Sequence, residues 1–205
     1  MKGQEWDDRY ERGGGALWSG RVNTVLVAEL EGHAPGSVLD VGCGEGADAV
    51  WLARAGWTVT GLDVSETALE RAAEAARAAG VEVDWLCSGV ESAPLPARGY
   101  DVVSVHYPAL KQSPGDDASR ALLSAVAPGG TLLVVGHWPL DAEYARSHGF
   151  EISDYVQVAD VRAQLGDDWE IVVDEVRPRA DSIPPASAFT HDAVLRARRV
   201  NTPST

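Results

Sequence analysis

Ser37-Val38-Leu39-Asp40-Val41-Gly42-Cys43-Gly44-Glu45-Gly46, answered further on by Leu62-Asp63, is the stretch whose reading decides the fold. Residues 37–41 form a largely apolar run of strand length, and glycines at alternate positions follow it. Such a turn lets the backbone reverse sharply and lets a ligand lie against it, over the N-terminus of the next helix. Leu62-Asp63 closes a second apolar run. Its carboxylate, seventeen residues past Gly46 (63 − 46), stands at a strand tip where it can accept both hydroxyls of a ribose. Strand, glycine turn, helix, strand and acid together predict a site for an adenosine-containing cofactor.

Spelling alone leaves two cofactors open. Gly42, Gly44 and Ala47 satisfy G-x-G-x-x-G/A, the dinucleotide fingerprint. Charge separates the readings. A dinucleotide brings an anionic pyrophosphate to the turn, where Asp40 and Glu45 would oppose it in a low-dielectric crevice. S-adenosylmethionine has no phosphate; it carries a sulfonium, an ammonium and one carboxylate, and the same acids favour it. Val38 to Gly46, with an acid inside the strand ahead of G-x-G-x-G, resembles the first motif of class I S-adenosylmethionine-dependent methyltransferases. That resemblance implies S-adenosylmethionine as cofactor and methyl transfer as activity. Two alternatives stay open: an NAD(P)-dependent oxidoreductase using the same turn, and a non-catalytic module that only binds S-adenosylmethionine.

The 205 residues are enough for one domain with a large core. The net charge of −14 argues against a nucleic-acid partner and against an anionic membrane surface, since both would be repelled over most of the protein. Cys43 and Cys87 are the only cysteines, too few for a disulfide framework or a thiolate metal site. The N-terminus has no apolar signal region, and no apolar run is long enough to span a bilayer, so a cytoplasmic location is expected. A homodimer stays open.

Trp6, Tyr10 and Trp18 lie around a Gly13-Gly14-Gly15 break ahead of the first strand. They suit either a lid over the cofactor or a packed arm. Trp6-Asp7-Asp8-Arg9-Tyr10 and Leu17-Trp18-Ser19-Gly20-Arg21 resemble the leader of small-molecule methyltransferases related to the tellurite-resistance and thiopurine enzymes. The resemblance implies that residues 1–34 close over donor and acceptor, and that residues 35–205 form the core of a single domain.

Val22 to Leu30 has helical apolar spacing. Further helices are expected over Gly46 to Ala55, over Glu66 to Ala79 with Ser65 as N-cap and Gly80 as stop, over Asp116 to Ala127, and over Val156 to Leu165. Strands are expected over Trp57 to Leu62, Val81 to Leu86, Tyr100 to Val105, Thr131 to Val135, Trp169 to Val176 and His191 to Arg199. Leu140 to Gly149 reads as a polar loop. Pro178, Pro184 and Pro185 make Arg177 to Ala188 a connection rather than a strand interior. Arg196, Arg198 and Arg199 read as the solvated face of a strand. The alternation predicts an α/β, Rossmann-like sheet of seven strands, mostly parallel, with helices on both faces. The resemblance adds that the last strand is antiparallel.

Ligands in such sheets bind beyond the carboxyl ends of the strands. His106 and Tyr107 follow strand four, His137 and Trp138 follow strand five, and Phe189 and His191 precede strand seven, so one rim gathers them. His106, His137 and Tyr107 are the catalytic candidates; a zinc site from the rim histidines lacks helical spacing and is not expected. Methyl transfer is an in-line displacement that needs near-attack geometry and exclusion of water, and it needs a base only when the acceptor keeps its proton. A thiol or other chalcogen acceptor is the soft nucleophile that needs least help. The resemblance and the turn together nominate Trp18, Asp40, Gly42, Cys43, Gly44, Gly46, Asp63, Val64, Ser88, Gly89, Val90 and His106 as cofactor-binding residues. One position departs from the family. After strand three the resembled enzymes place an Asp that holds the adenine amino group, and here Gly89 stands in its place.

Overall fold

A computed structural model describes residues 3–14, 17, 19–179 and 189–200 of the chain. The elements in order are α1 (Gly3–Gly13), α2 (Thr24–Leu30), β1 (Ser37–Val41), α3 (Ala47–Arg54), β2 (Thr58–Asp63), α4 (Glu66–Ala79), β3 (Asp84–Cys87) and β4 (Tyr100–His106). They continue with α5 (Asp117–Ala125), β5 (Val126–Trp138), α6 (Ala142–Ser147), a 3-10 turn at Ile152–Asp154, α7 (Val158–Ala163), β6 (Trp169–Pro178) and β7 (His191–Arg199). The seven strands lie in the order β3-β2-β1-β4-β5-β7-β6. β1 to β5 pair in parallel, and β7 runs antiparallel to both of its neighbours. The expected sheet, including its reversed last strand, is the observed one.

Successive residues of a strand face opposite sides, and here each side meets its own helices. Leu39, Val41, Val103, Val105, Leu132, Val134 and Leu195 pack in one cluster with Ala118, Leu122 and Ala125 of α5 and Val161 of α7. Val38, Val102, Leu133, Val135 and Val194 pack in the other with Val25, Leu26 and Leu30 of α2 and Ala49 and Leu52 of α3. Leu39, Leu122, Leu132 and Leu133 are fully buried. Truncating any of them to Ala removes about 2–5 kcal/mol. The order reverses at β1, with β2 on one side and β4 on the other, and this crevice carries the glycine turn.

Local signals set the helix ends. Ser65 caps α4 by accepting the Ala68 amide at 3.1 Å, and Gly80 ends it in the left-handed region at φ 68°. Where the structure departs from the sequence reading, side chains and pairing override composition. The stretch 140–149 is not a loop throughout: Asp141 accepts the Glu143 and Tyr144 amides and starts α6. β5 begins before Pro128-Gly129-Gly130, because Val126 already pairs with Tyr100; the register then jumps to Val102 and Thr131, so the turn residues bulge out within the strand. β3 starts later than its apolar run, at Asp84.

The arginines of β7 are not simply a solvated face. Arg199 donates to the Leu123 and Val126 carbonyls at 2.9 and 3.0 Å and pairs with Asp168. Arg196 pairs with the buried Glu29 and donates to its carbonyl at 2.8 Å. Arg198 alone keeps the expected exposed setting, with Glu170 at 3.1 Å. Among the described residues, no helix is long and apolar enough to cross a membrane.

Candidate active site

The glycine turn is held open by its neighbours. The Gly42 and Cys43 amides donate to the Leu62 carbonyl at 2.7 and 3.1 Å, which ties the end of β1 to the end of β2. Gly42, Gly44 and Gly46 have φ of 72°, 52° and 82°, a region that costs an ordinary residue roughly 1–2 kcal/mol. A side chain on Gly42 would meet nothing within 4 Å, so the turn is open to solvent on that side. Asp63 completes the frame: Oδ2 accepts the Gly44 amide at 2.9 Å and Oδ1 accepts the Ser65 amide at 2.9 Å. Each oxygen keeps a lone pair for a ribose hydroxyl. Burial raises the Asp63 pKa, partly offset by those amides.

Asp40 sits under this turn, 3% exposed, and its Oδ2 has no hydrogen-bond partner. Burial, then the charges of Asp48 and Asp63, push its pKa well above the ordinary value. A buried carboxylate with an unsatisfied oxygen and acidic neighbours calls for a cation. The residues therefore fit S-adenosylmethionine, whose methionine end is cationic at sulfur and nitrogen, and they disfavour a pyrophosphate. Glu45 contributes less to this field than its position in the sequence implies. It accepts the Leu17 amide through both oxygens, at 3.1 and 3.0 Å, and pairs with Arg71 at 2.9 Å. Cys43 stays a protonated thiol, because burial and then Asp40 and Asp63 push its pKa well up.

The leader is bolted to the same turn and strand tip. Asp7 accepts the Ser65 hydroxyl at 2.6 Å and the Thr67 amide at 3.1 Å, so α1 caps the start of α4. Tyr10 is buried, and its carbonyl accepts from Arg71 at 3.0 Å. Gly3 lies against the Val64 carbonyl. Asn23 donates through its amide and its side chain to Asp48 on α3, both at 2.7 Å. Trp18 lies outside the described residues.

At the tip of β3, Ser88 donates its amide to the Asp63 carbonyl at 2.9 Å and so sets the turn beside Asp63. The Ser88 hydroxyl is engaged locally, with the Gly89 carbonyl and the Ser92 hydroxyl at 3.2 Å each. Val90 is 2% exposed and its side chain packs in the core.

At the rim beyond the parallel strands, His106 ends β4 with 5% of its side chain exposed and both ring nitrogens unpartnered; Asp48 Oδ2 is 4.0 Å from Nδ1. Burial lowers its pKa, and the Asp48 charge only partly offsets this. Tyr107 holds φ of 50°, a strained conformation for an aromatic residue, and its ring stacks on His137 at 4.3 Å. His137 stacks in turn on Phe189 at 4.2 Å. Burial and the nearby Arg179 take the His137 pKa down to about 4. Tyr107 donates to the buried Asp192 at 3.0 Å, and Arg179 pairs with Asp192 at 3.4 Å and reaches the Tyr107 hydroxyl at 3.3 Å. His191 turns away to the Thr190 hydroxyl at 2.8 Å. Among the described residues, no group of three metal-ligating side chains exists. Of the rim residues, His106, Tyr107, His137 and Phe189 come together. Asp48, Asn23, Arg179 and Asp192 were not legible in advance, because each acts through a contact distant in sequence.

Known proteins resemble this chain in sequence over part of its length and in fold over most of it. Residues 38–130 match the methyltransferase domain family. The ribosomal RNA small subunit methyltransferase C of Alcanivorax borkumensis is 34% identical over 134 residues, 60% of this chain and 41% of that protein. The chain spans about half the length of the curated relatives it matches. A protein solved in work on the conversion of a disulfide bond into a thioacetal group during echinomycin biosynthesis superposes with a TM-score of 0.74 at 24% identity, over 98% of this chain and 94% of that one. TehB from Haemophilus influenzae superposes with a TM-score of 0.65 at 17% identity, over 87% of this chain and 62% of that one. At these identities the structural likenesses speak for the fold; the sequence match over the glycine turn, Asp63 and β4 speaks for the family. Over residues 38–130 the glycine turn, Asp63 and β4 match a methyltransferase domain, and the whole sheet has the Rossmann-like fold of S-adenosylmethionine-dependent methyltransferases.

Proposed function

We propose that this protein moves the methyl group of S-adenosylmethionine to a small-molecule acceptor bound over His106, Tyr107 and His137, and that the acceptor atom is a thiol or another soft chalcogen. The observation that carries the donor half is the buried Asp40 carboxylate with its unpartnered oxygen under the glycine turn. It is placed to favour a cationic methionine end, while Asp63 is placed for the ribose and the turn amides leave room for the rest. S-adenosylmethionine supplies an activated methyl carbon; the protein's task is to align the two partners and keep water out.

The acceptor half rests on the weakness of the bases. His106 and His137 both have lowered pKa values, so at neutral pH they are uncharged and poor proton acceptors. Such a rim suits a nucleophile that gives up its proton easily, with His106 or Tyr107 orienting it and His137 stacking against it. The protein from echinomycin biosynthesis, which is linked by its description to disulfide and thioacetal chemistry, is consistent with sulfur. Residues 1–34 act as the lid over donor and acceptor, closed through the contacts of Asp7, Glu45 and Asp48 with the core and leader. The net charge of −14 separates this chain from its ribosomal RNA methyltransferase relative in substrate, because a phosphate backbone would be repelled. Incubation with methyl-labelled S-adenosylmethionine and a panel of thiols, selenols, phenols and amines tests the reading. Label on the thiols or selenols supports it, and label only on phenols, amines or RNA overturns the acceptor class.

A further inference from the structure

The two edges of the sheet differ. β3, at one end, is four residues long and begins at the exposed Asp84. β6, at the other, runs for ten residues, and among the described residues no strand pairs with its outer side. Ile171, Val172 and Val176 on it are 42%, 47% and 46% exposed. A long apolar edge of this kind is a template for another strand. A bulge decides which of its residues share a face. Ile171 lies opposite Ala197 and Val173 opposite Arg196, so Val172 is an extra residue in β6. Ile171 and Val176, an odd number of positions apart, would face opposite sides of a regular strand. The extra residue brings both to one side, because their partners Ala197 and Ala193 are an even number apart on β7. Glu170 and Arg177 share the other side for the same reason, opposite Arg198 and Asp192.

We propose that β6 pairs antiparallel with β6 of a second copy of this chain, about a two-fold axis through Asp174. Measured along β7, Ile171 and Val176 are equally far from Asp174, and so are Glu170 and Arg177. The axis therefore sets Ile171 against Val176 of the second copy on one face and Glu170 against Arg177 of the second copy on the other, each contact made twice. Centring the axis on Val173 would oppose Glu170 to Glu175, and centring it on Glu175 would oppose Val176 to Asp174. Only the Asp174 centre matches both apolar groups and charges. Asp174 meets its own copy at the axis, each carboxylate paired with Arg162 of α7. Within the chain Glu170 already pairs with Arg198, and Arg177 with Glu29 and Glu175, so the charges fix register while the apolar contacts supply the attraction. A two-fold pair closes on itself and covers the edge without growing into a fibre. Strands β1 to β5 of the second copy then run the opposite way, and the two glycine turns lie at opposite margins of the joined sheet.

Analytical ultracentrifugation of the full chain, with cysteine pairing as a map of the register, is the test. The unaltered protein is expected to sediment at twice the mass of one chain. Ile171→Lys and Val176→Lys should each leave monomer only, with unchanged circular dichroism, since both side chains are exposed and lie outside the core. Directly opposed residues of an antiparallel pair have Cα atoms about 4.5–5.5 Å apart, within reach of a disulfide. With the exposed Cys87 replaced by Ser, Asp174→Cys should therefore form a covalent dimer under mild oxidation. Ile171→Cys in the same background should not, and adding Val176→Cys to it should restore the covalent dimer. Sedimentation of the unaltered protein as a monomer at every concentration overturns the proposal, and so does a dimer that survives both lysine variants. Covalent dimers from Ile171→Cys alone, as readily as from Asp174→Cys, overturn the axis through Asp174.

Discussion

Asp63 and Gly44 are joined across the crevice: the carboxylate at the tip of β2 accepts the Gly44 amide of the turn after β1 at 2.9 Å. One side chain thus ties the turn after β1 to the start of α4. Asp63→Ala is expected to weaken S-adenosylhomocysteine by about 1–3 kcal/mol through lost charge-assisted hydrogen bonds. Calorimetric titration reads this directly, and an unchanged affinity would remove Asp63 from the site.

Gly42 presents bare backbone to the open space of the turn at φ 72°. Gly42→Val should abolish cofactor binding, with a stability cost of about 1–2 kcal/mol from the left-handed backbone. Circular dichroism establishes that the variant is folded. Normal binding by that folded variant would place the ligand elsewhere.

His137 makes stability depend on pH. Its ordinary value is 6.5 and its folded value is about 4, so between those limits the unfolded chain takes up a proton that the folded chain refuses. The contribution of the neutral ring is complete above about pH 6.5 and is lost as pH falls toward 4, by up to about 3 kcal/mol. Asp40, with its raised pKa, acts in the opposite sense over part of the same range, so the comparison must be between variants. His137→Phe keeps a stacking ring without the titration. Its stability relative to the unaltered protein should rise steadily from pH 7 to pH 4.5 in urea unfolding; a constant difference would contradict the depressed value.

Glu45 fastens the leader by accepting the Leu17 amide and pairing with Arg71, which itself holds the Tyr10 carbonyl. Glu45→Ala should cost about 1–3 kcal/mol and should raise hydrogen exchange in α1 more than in the β4–β5 pair. Equal protection of α1 in both proteins would show that the leader is held by its apolar contacts alone.

Much of this molecule could be read from residues whose roles are local. The apolar strand, the glycine turn, the acid at the tip of β2, the Ser65 cap and the Gly80 stop each depend on neighbours within a few positions, and each sits where the sequence puts it. What escaped are partnerships set by tertiary contact. Glu45 reads as a free charge on the turn until Arg71 and Leu17 meet it. Arg196 reads as solvated until Glu29 of α2 arrives, and the stretch after β5 reads as loop until Asp141 caps it. At the site, Asp40 was legible because an acid inside a buried strand is anomalous on its own. Asp48, Arg179 and Asp192 carry no such mark, since their meaning lies in His106, His137 and Tyr107 across the sheet.

The central claim is that the carboxylate-lined turn holds a cationic adenosyl cofactor rather than a dinucleotide. A thermal unfolding series with S-adenosylmethionine, S-adenosylhomocysteine, NADH and NADPH tests it most directly. A ligand at about 100 times its dissociation constant adds roughly 2.7 kcal/mol to the folded state, a shift readily seen in Tm. The account predicts that shift with the two adenosyl compounds and none with the nicotinamides. A shift with NADH or NADPH and none with the adenosyl pair would contradict it.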